Sequence, residues 1–180
     1  MSVPTITLNN GVAIPQLGFG TYRVGREAVA AALAAGYRLL DTAEMYRNET
    51  EVGQAIAASG IPREEIFVTT KVWNDHHGYR PTLKAFDASR RRLGLEVIDL
   101  YLIHWPQPHR GLHAETWRAM EKLYADGAVR AIGVSNFSPG ELEELMKGAE
   151  IPPAVNQIEL NPSLPRTEER AFHARHGIAT

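Results

Sequence analysis

The segment Asp99-Leu-Tyr-Leu-Ile-His104-Trp105-Pro106 is an apolar run that ends abruptly at an imidazole, an indole and a proline. A short apolar run closed by proline is typical of a buried strand. Similar runs recur along the chain, and a polar residue comes at or directly after the end of each. These polar residues are Asp41, Lys71, His104, Ser135 and Gln157. They follow one another at intervals of 30, 33, 31 and 22 positions. The sequence therefore predicts a series of strands with polar carboxyl-terminal ends.

The intervals between these runs carry apolar residues at helical spacing. This spacing predicts helices over residues 26–35, 82–93 and 167–176, among others. Two further helix starts, Asn48-Glu-Thr-Glu51 and Ser138-Pro-Gly-Glu141, match the capping box. In that motif the side chains of the first and fourth residues each accept a hydrogen bond from the backbone N–H of the other.

The amino-terminal region predicts a small hairpin before the repeating units begin. Asn10-Gly11 separates two short alternating segments, and this dipeptide suits a type I′ turn because both residues tolerate a positive φ. The first strand of the repeating series is predicted at Leu17-Gly-Phe-Gly-Thr21. Strand and helix then alternate six times, and Ile178-Ala-Thr180 predicts the start of a seventh strand.

Alternation of this kind is shared by doubly wound sheets and (β/α)₈ barrels, so it does not separate the two. The barrel is favoured because polar residues end at least five successive strands, whereas a doubly wound sheet collects its ligand residues at one switch point. A dinucleotide fingerprint is also missing, since Arg23 stands where the third glycine after Gly18 and Gly20 belongs. We predict one domain, residues 1–180, with a TIM-type (β/α)₈ fold of which about six units plus the hairpin are present.

Composition excludes several classes of function. The 180 residues carry a net charge of −2 and no cysteine, which gives no reason to expect a nucleic-acid partner, a membrane partner or a disulfide framework. No apolar run approaches the roughly 18 residues of a membrane span, and the first residues lack the pattern of a signal peptide. We expect a cytoplasmic enzyme or binding protein.

Seven histidines raise the question of a metal site. His109 and His113 are four positions apart, and His76 and His77 are adjacent. No His-x-His motif follows a strand, however, and residues 108–111 are typical of a loop. We predict that the protein has no metal site.

Three of these polar residues, together with a nearby tyrosine, suggest a reaction. Tyr46 follows Asp41 by five positions, in a loop expected over the barrel mouth, and Lys71 and His104 end the next two strands. A phenol has an ordinary pKa near 10, and an adjacent ammonium group is expected to lower the pKa of Tyr46. Tyr46 could then give a proton to an oxygen that becomes negative, with His104 as a second hydrogen-bond donor. This arrangement suits reduction of a carbonyl by hydride.

Each of these residues also has an ordinary structural interpretation. An isolated aspartate after a strand commonly caps a helix, an isolated tyrosine is commonly a core residue, and an isolated lysine is commonly solvated. Trp73 and Trp105 could supply bulk to a barrel interior, and Trp117 fits a helix stripe. The functional interpretation therefore depends on whether the side chains meet.

The motifs together resemble one family, the aldo-keto reductases, which are NADPH-dependent (β/α)₈ enzymes. The motifs that carry the resemblance are Gly18-Phe-Gly-Thr-Tyr22, Leu40-Asp-Thr-Ala-Glu-Met-Tyr46, Thr69-Thr-Lys-Val-Trp-Asn74, Leu102-Ile-His-Trp-Pro106, Ile132-Gly-Val-Ser-Asn-Phe137 and Asn156-Gln-Ile-Glu159. Residues 73–78 and 102–108 are most similar to the prokaryotic branch that contains 2,5-diketo-gluconate reductases and related carbonyl reductases.

The resemblance implies roles for individual residues. The catalytic tetrad would be Asp41, Tyr46, Lys71 and His104, with Tyr46 as the proton donor. The residues that would hydrogen-bond the nicotinamide carboxamide are Ser135, Asn136 and Gln157. The segment along the nicotinamide ribose and phosphates would be Gly20, Thr21 and Tyr22, with Asp41 beside it. Trp73, Trp105 and His104 would line the substrate pocket.

The resemblance also implies an activity and an incomplete barrel. The expected function is an oxidoreductase that uses NADPH to reduce small aldehydes, ketones or sugar-derived carbonyls to alcohols, as a monomer once its barrel is complete. Family members continue through strands seven and eight, so the chain is expected to be C-terminally incomplete, with two open sheet edges. The alternatives are a non-catalytic barrel-derived binding protein, or an inactive fragment whose open edges pair with another copy.

Overall fold

The structure, a computed structural model, describes residues 3–180, in which strands and helices alternate. The strands are β1 (Thr5–Thr7), β2 (Ala13–Pro15), β3 (Gly18–Gly20), β4 (Leu39–Asp41), β5 (Phe67–Val72), β6 (Ile98–Ile103), β7 (Val129–Ser135) and β8 (Asn156–Gln157). The helices are α1 (Arg26–Ala34), α2 (Glu49–Ala58), α3 (Tyr79–Leu93), α4 (His113–Ala125), α5 (Pro139–Met146) and α6 (Thr167–Arg175).

The strands β3 to β8 form a parallel sheet in which each strand pairs with its neighbour in sequence. This sheet is strongly curled. The curl brings the Gln157 side chain on β8 within 2.8 Å of the Asp41 side chain on β4. Three strands lie between them in the sheet. Ala179 makes a parallel bridge to Val155, which confirms that a seventh strand begins in residues 178–180. The described residues thus form an open half-barrel of six β/α units, as predicted.

The two faces of the sheet carry different parts of the core. On the concave face, Phe67, Leu100 and Leu102 pack with residues of the β1–β2 hairpin. On the convex face, side chains such as Tyr101 and Val134 pack beneath the helices. Alternation along each strand produces these two layers, since successive side chains point to opposite faces. The carboxyl-terminal edge of the sheet is left to polar residues.

The hairpin closes the amino-terminal edge of the sheet, and its turn differs from the predicted one. Gly11 has a φ of +85° and its N–H donates to Leu8 at 2.9 Å, but Asn10 is not among the residues with positive φ. The turn is therefore a three-residue loop with a left-handed glycine, and the predicted type I′ turn is wrong. The cause is tertiary, because the Asn9 and Asn10 amides donate to the carbonyls of Pro153 and Arg130.

The two predicted capping boxes had different outcomes. At the start of α5, the Ser138 hydroxyl accepts from the Glu141 N–H and the Glu141 carboxylate accepts from the Ser138 N–H, which confirms the box. At the start of α2, the Asn48 side chain makes no cap hydrogen bond, so that prediction is wrong. Asn48 is buried and donates instead to the carbonyls of Thr21 and Val24.

The third helix also begins earlier than predicted, at Tyr79 rather than Thr82. Pro81 is accommodated because the first turn of a helix does not use the N–H that proline lacks. In the described part of the chain, no helix is both long enough and apolar enough to cross a membrane.

Candidate active site

The polar strand ends meet at the carboxyl-terminal edge of the curled sheet, which we call the mouth. Asp41, Ser135 and Gln157 are the last residues of β4, β7 and β8, while Lys71 is the penultimate residue of β5 and His104 follows β6 directly. Parallel strands deliver these positions to the same edge. The structure brings the five residues together, as the sequence predicts.

An ion pair between Lys71 and Asp41 lies at the centre of the mouth. The Lys71 Nζ atom is 2.5 Å from Asp41 Oδ1 and 3.1 Å from the carbonyl oxygen of Thr42. The Lys71 side chain is only 1% exposed. A charge so deeply buried requires a partner, and removing one partner would leave the other uncompensated. Asp41 is held on its other oxygen by the Gln157 amide at 2.8 Å.

A shelf of amide and hydroxyl groups lies beside this ion pair. Asn136 has a left-handed backbone with φ of +64°, a conformation that asparagine tolerates. Its Nδ2 donates to the His104 carbonyl at 3.1 Å and to Ser135 Oγ at 3.0 Å, and Ser135 Oγ donates to the Gln157 carbonyl at 3.0 Å. Within residues 3–180, Asn136 Oδ1 and Gln157 Oε1 accept no hydrogen bond. These two amide oxygens are therefore available to accept hydrogen bonds from a ligand.

Aromatic rings form another wall of the mouth. The Tyr46 ring lies 5.7 Å from the His104 ring and 5.0 Å from the Tyr22 ring, and the Trp73 ring lies 5.1 Å from His104. The Lys71 Nζ atom is 5.3 Å from the centre of the Tyr46 ring. Tyr46 is thus within reach of both the ammonium group and the imidazole.

The pKa of Tyr46 differs from the sequence expectation. Burial, followed by the negative charge of Asp41 and by Tyr22, raises the pKa of Tyr46 to about 12. The predicted lowering by Lys71 is wrong, because the ion pair with Asp41 offsets the ammonium charge and burial penalises the phenolate. Tyr46 is consequently protonated at neutral pH, which is the state a proton donor needs.

The pKa of His104 is lowered to about 4, first by burial and then by the charge of Lys71. The ring is therefore a neutral imidazole at pH 7. Its Nδ1 atom is buried and has no hydrogen-bond partner among the described residues. In the neutral form His104 can offer one N–H to an acceptor, but it does not carry the charge of an imidazolium.

The remaining predicted residues lie around the rim. Thr21 is buried, and both its N–H and its hydroxyl donate to the Asp41 carbonyl, at 2.9 and 3.1 Å. Gly20 pairs with Asp41 in the sheet, and a side chain there would meet nothing within 4 Å. Trp105 is 44% exposed and lies outside the aromatic cluster. The Tyr22 ring packs at a tilt against the Tyr46 ring and is half exposed.

The sequence interpretation missed Glu44, whose carboxylate contacts the loop that carries Trp73. Its position in the Asp41-x-x-Glu44-x-Tyr46 segment was the available signal, since a carboxylate between two candidate residues is placed near the same mouth. Within residues 3–180, no three His, Asp or Glu side chains are grouped so that they could hold a metal ion.

Comparison with known proteins settles the family. A family model described as the aldo/keto reductase family matches residues 16–180. The chain belongs to the aldo/keto reductase family. The assignment made from the motifs is thereby confirmed.

This aldo/keto reductase chain is similar in sequence to several named proteins. It is 56% identical to an aldo-keto reductase of Mycolicibacterium smegmatis, over 98% of this chain and 66% of the relative. It is 51% identical to a glyoxal reductase of Bacillus subtilis, over 97% and 64%. It is 48% identical to 2,5-diketo-D-gluconic acid reductase B of a Corynebacterium, over 99% and 66%. The chain thus spans about two thirds of the length of these relatives.

Solved structures confirm the fold. An aldo/keto reductase from Brucella melitensis superposes with a TM-score of 0.97 at 52% identity, covering 99% of this chain and 71% of that one. A Bombyx mori aldo-keto reductase in complex with NADP superposes with a TM-score of 0.91 at 40% identity, covering 99% and 65%. The half-barrel is therefore the corresponding part of an aldo-keto reductase barrel.

Proposed function

We propose that the protein is an oxidoreductase that reduces aldehydes or ketones to alcohols with hydride from NADPH. The observation that carries this proposal is the mouth itself, where a protonated phenol, a neutral imidazole and a buried ion pair surround one space. The named relatives include reductases of glyoxal and of a diketo sugar acid, which support carbonyl compounds as substrates. They also speak against the non-catalytic alternative.

The amide shelf fits the nicotinamide end of the cofactor. A carboxamide has an NH₂ that needs acceptors and a carbonyl that needs a donor, and Asn136 and Gln157 have unused oxygens at the rim. Ser135, Asn136 and Gln157 would hold the carboxamide, while residues 20–22, next to Asp41, would lie along the ribose and phosphates. When bound there, NADPH supplies the hydride. A relative's complex with NADP supports this choice of cofactor.

Tyr46 is the proton donor in the proposed reaction. Hydride addition would leave the negative charge of an alkoxide on the carbonyl oxygen, and an alkoxide, like hydroxide, is a much stronger base than a phenolate. A phenol with a pKa of about 12 therefore transfers its proton to that oxygen downhill. Water returns a proton to the phenolate afterwards.

The other members of the tetrad act on Tyr46 and on the reacting oxygen. His104 is neutral at pH 7, so it donates a hydrogen bond to the oxygen without acting as the acid. Lys71 stabilises the phenolate that forms, in a buried setting where its charge acts strongly. Asp41 holds Lys71 in place and keeps the resting phenol protonated.

Trp73 and Trp105 would form apolar walls for the substrate, together with His104. The proposed substrates are small aldehydes, ketones and sugar-derived carbonyls. A cytoplasmic location, a monomeric state for the complete barrel, and organisation as one domain are parts of the same proposal.

Replacing Tyr46 with phenylalanine tests the reaction. We expect the Tyr46→Phe variant to lose on the order of 10²–10⁴ in kcat, the usual contribution of a positioned acid. The measurement follows NADPH absorbance with a generic aldehyde and with 2,5-diketo-gluconate. Tyr79→Phe is the matched control, since Tyr79 is exposed on α3 and should retain full activity.

Two outcomes would contradict the proposal. Undiminished turnover by Tyr46→Phe would remove Tyr46 from its role. Calorimetry that shows NADPH binding to the wild-type protein without turnover of any carbonyl would favour the non-catalytic alternative.

A further inference from the structure

Glu44 lies in a 3₁₀ turn, Glu44–Tyr46, that follows β4 and also carries the candidate proton donor. Its side chain is only 14% exposed. The turn ends at Arg47, whose φ of +58° places it in the left-handed region and reverses the chain. Glu44 is therefore fixed to the same short element as Tyr46, two residues away.

Both carboxylate oxygens of Glu44 are used on a neighbouring loop. Oε2 accepts the backbone N–H of Trp73 at 3.1 Å, and Oε1 lies 2.8 Å from Nδ1 of His76. These contacts join the Tyr46 turn to the loop between β5 and α3. The mechanism proposed above does not use either of them.

The same loop returns to Tyr46 through its aromatic side chains. The Trp73 ring packs edge-on against His104, and the His104 ring packs edge-on against Tyr46. Glu44 therefore holds the backbone of Trp73 against the Tyr46 turn, while the Trp73 ring packs against His104 at the mouth. Trp73 is thus connected to the Tyr46 turn at two points, through its backbone and through its ring.

The far end of the loop is anchored separately. The Gly78 N–H donates to Thr116 Oγ1 at 2.8 Å, and the Thr82 hydroxyl donates to the His76 carbonyl at 3.0 Å. Loss of Glu44 would therefore release the Trp73 end of the loop and leave its connection to α3 intact. The effect should be confined to the mouth.

We propose that Glu44 is a positioning residue that sets substrate specificity, by holding Trp73 against the Tyr46 turn and so keeping the mouth narrow enough to favour small carbonyl compounds over bulky ones. This inference rests on the proposed function. It assigns a role to a side chain that touches neither the reacting oxygen nor the cofactor shelf.

The test compares two substitutions at Glu44. Glu44→Ala removes the acceptor of the Trp73 N–H, and we expect KM for a small aldehyde such as propanal to rise on the order of tenfold while kcat changes little. Discrimination between propanal and a bulky aromatic aldehyde should fall by a similar factor. Glu44→Gln keeps an acceptor for the N–H and should restore a wild-type KM.

Two controls separate the contacts. His76→Ala removes only the contact between the His76 ring and Glu44 Oε1 and should behave like Glu44→Gln. Glu143→Ala, at an exposed carboxylate on α5, should leave both kinetic constants unchanged. If KM and discrimination survive Glu44→Ala unchanged, the specificity role is overturned.

A spectroscopic readout keeps the inference independent of turnover. In ¹H–¹⁵N spectra, the backbone amide signal of Trp73, whose N–H donates to Glu44, should move in Glu44→Ala and stay in place in Glu44→Gln. The indole N–H signal of Trp117, which is buried and donates to the Ile151 carbonyl, should stay in place in both. A wild-type chain that reduces no carbonyl would defeat the proposed function. In that case the Trp73 signal would still test whether Glu44 holds Trp73. A signal that does not move in Glu44→Ala would refute that contact.

Discussion

The two ends of the curled sheet each hold a carboxylate among hydrogen-bond donors, but they use it differently. At the amino-terminal end, Asp99 accepts from Arg63 at 2.6 Å and from the Val68 N–H at 2.8 Å on one oxygen, and from Arg130 at 2.7 Å on the other. At the mouth, Asp41 pairs with Lys71 and Gln157. Both clusters cross several strands of the same sheet.

The difference lies in what surrounds each carboxylate. The partners of Asp99 saturate it, and its side chain is 2% exposed. At the mouth, by contrast, the buried Nδ1 atom of His104 has no partner among the described residues. The loop that follows Trp73 carries three more such atoms, Oδ1 of Asn74 and both ring nitrogens of His77. Buried polar groups are normally paired, so unpaired ones are expected where a protein gives up stability for function. The amino-terminal end therefore serves stability, and the mouth serves chemistry.

The largest effect on stability should come from breaking the saturated end. Asp99→Asn keeps the shape of the side chain but removes the charge that two arginines and a backbone N–H share. Because that charge is buried, we expect the free energy of unfolding to fall by about 3 kcal/mol, measured by urea denaturation.

The matched control is Asp126→Asn, which breaks an exposed pair with Lys122 on α4. Pairs of that kind contribute less than about 1 kcal/mol. Equal losses for the two variants would show that saturation at the amino-terminal end has no special value. The comparison between the two ends would then fail.

A smaller effect should come from acid, and it should arise at His104 of the mouth and at His77 in the loop that follows Trp73. Burial is the first cause that lowers the pKa of His77 and of His104 to about 4, from an ordinary 6.5. Because these pKa values are depressed in the folded state, the unfolded chain takes up protons first as the pH falls. Stability is therefore complete above about pH 7 and declines between pH 6.5 and 4. We expect each of the two histidines to contribute a loss of about 2 kcal/mol between pH 7 and pH 5.

Urea denaturation at the two pH values measures this loss. His77→Gln should remove a substantial part of the difference, whereas His109→Gln, at an exposed histidine on the β6–α4 loop, should not. If the pH difference persists in His77→Gln, the groups that titrate lie elsewhere. The unpaired ring nitrogens of His77 would then not be the cause of the loss of stability in acid.

The sequence predicts the parts of this protein that depend on repeated local patterns. Apolar runs predicted the strands of the sheet, and the polar residue at each strand end predicted the mouth, because parallel strands share one direction. The family motifs then placed Tyr46 beside Lys71 and His104, and the structure brings these side chains together.

The failures occur where a distant contact overrides a local rule. Asn10 and Asn48 both match local turn or cap patterns, but their side chains bind carbonyl groups far away in sequence. The pKa of Tyr46 was predicted from one neighbour, whereas burial and Asp41 together decide it. Glu44 was missed because its importance depends on where the Trp73 loop folds back. Such information lies in the packing and is not contained in any short segment.

The smallest predicted effect tests whether pairing or burial sets the value of a polar group. The Ser138–Glu141 capping box is fully paired, like Asp99, but its hydrogen bonds are exposed. We expect Ser138→Ala to lower the free energy of unfolding by about 1 kcal/mol, because water can replace part of what the hydroxyl provides. Urea denaturation of Ser138→Ala and Asp99→Asn under the same conditions compares the two losses of unfolding free energy directly. A loss at Ser138 as large as that at Asp99 would mean that completeness of pairing matters more than burial, and the stability of the amino-terminal end would need another explanation.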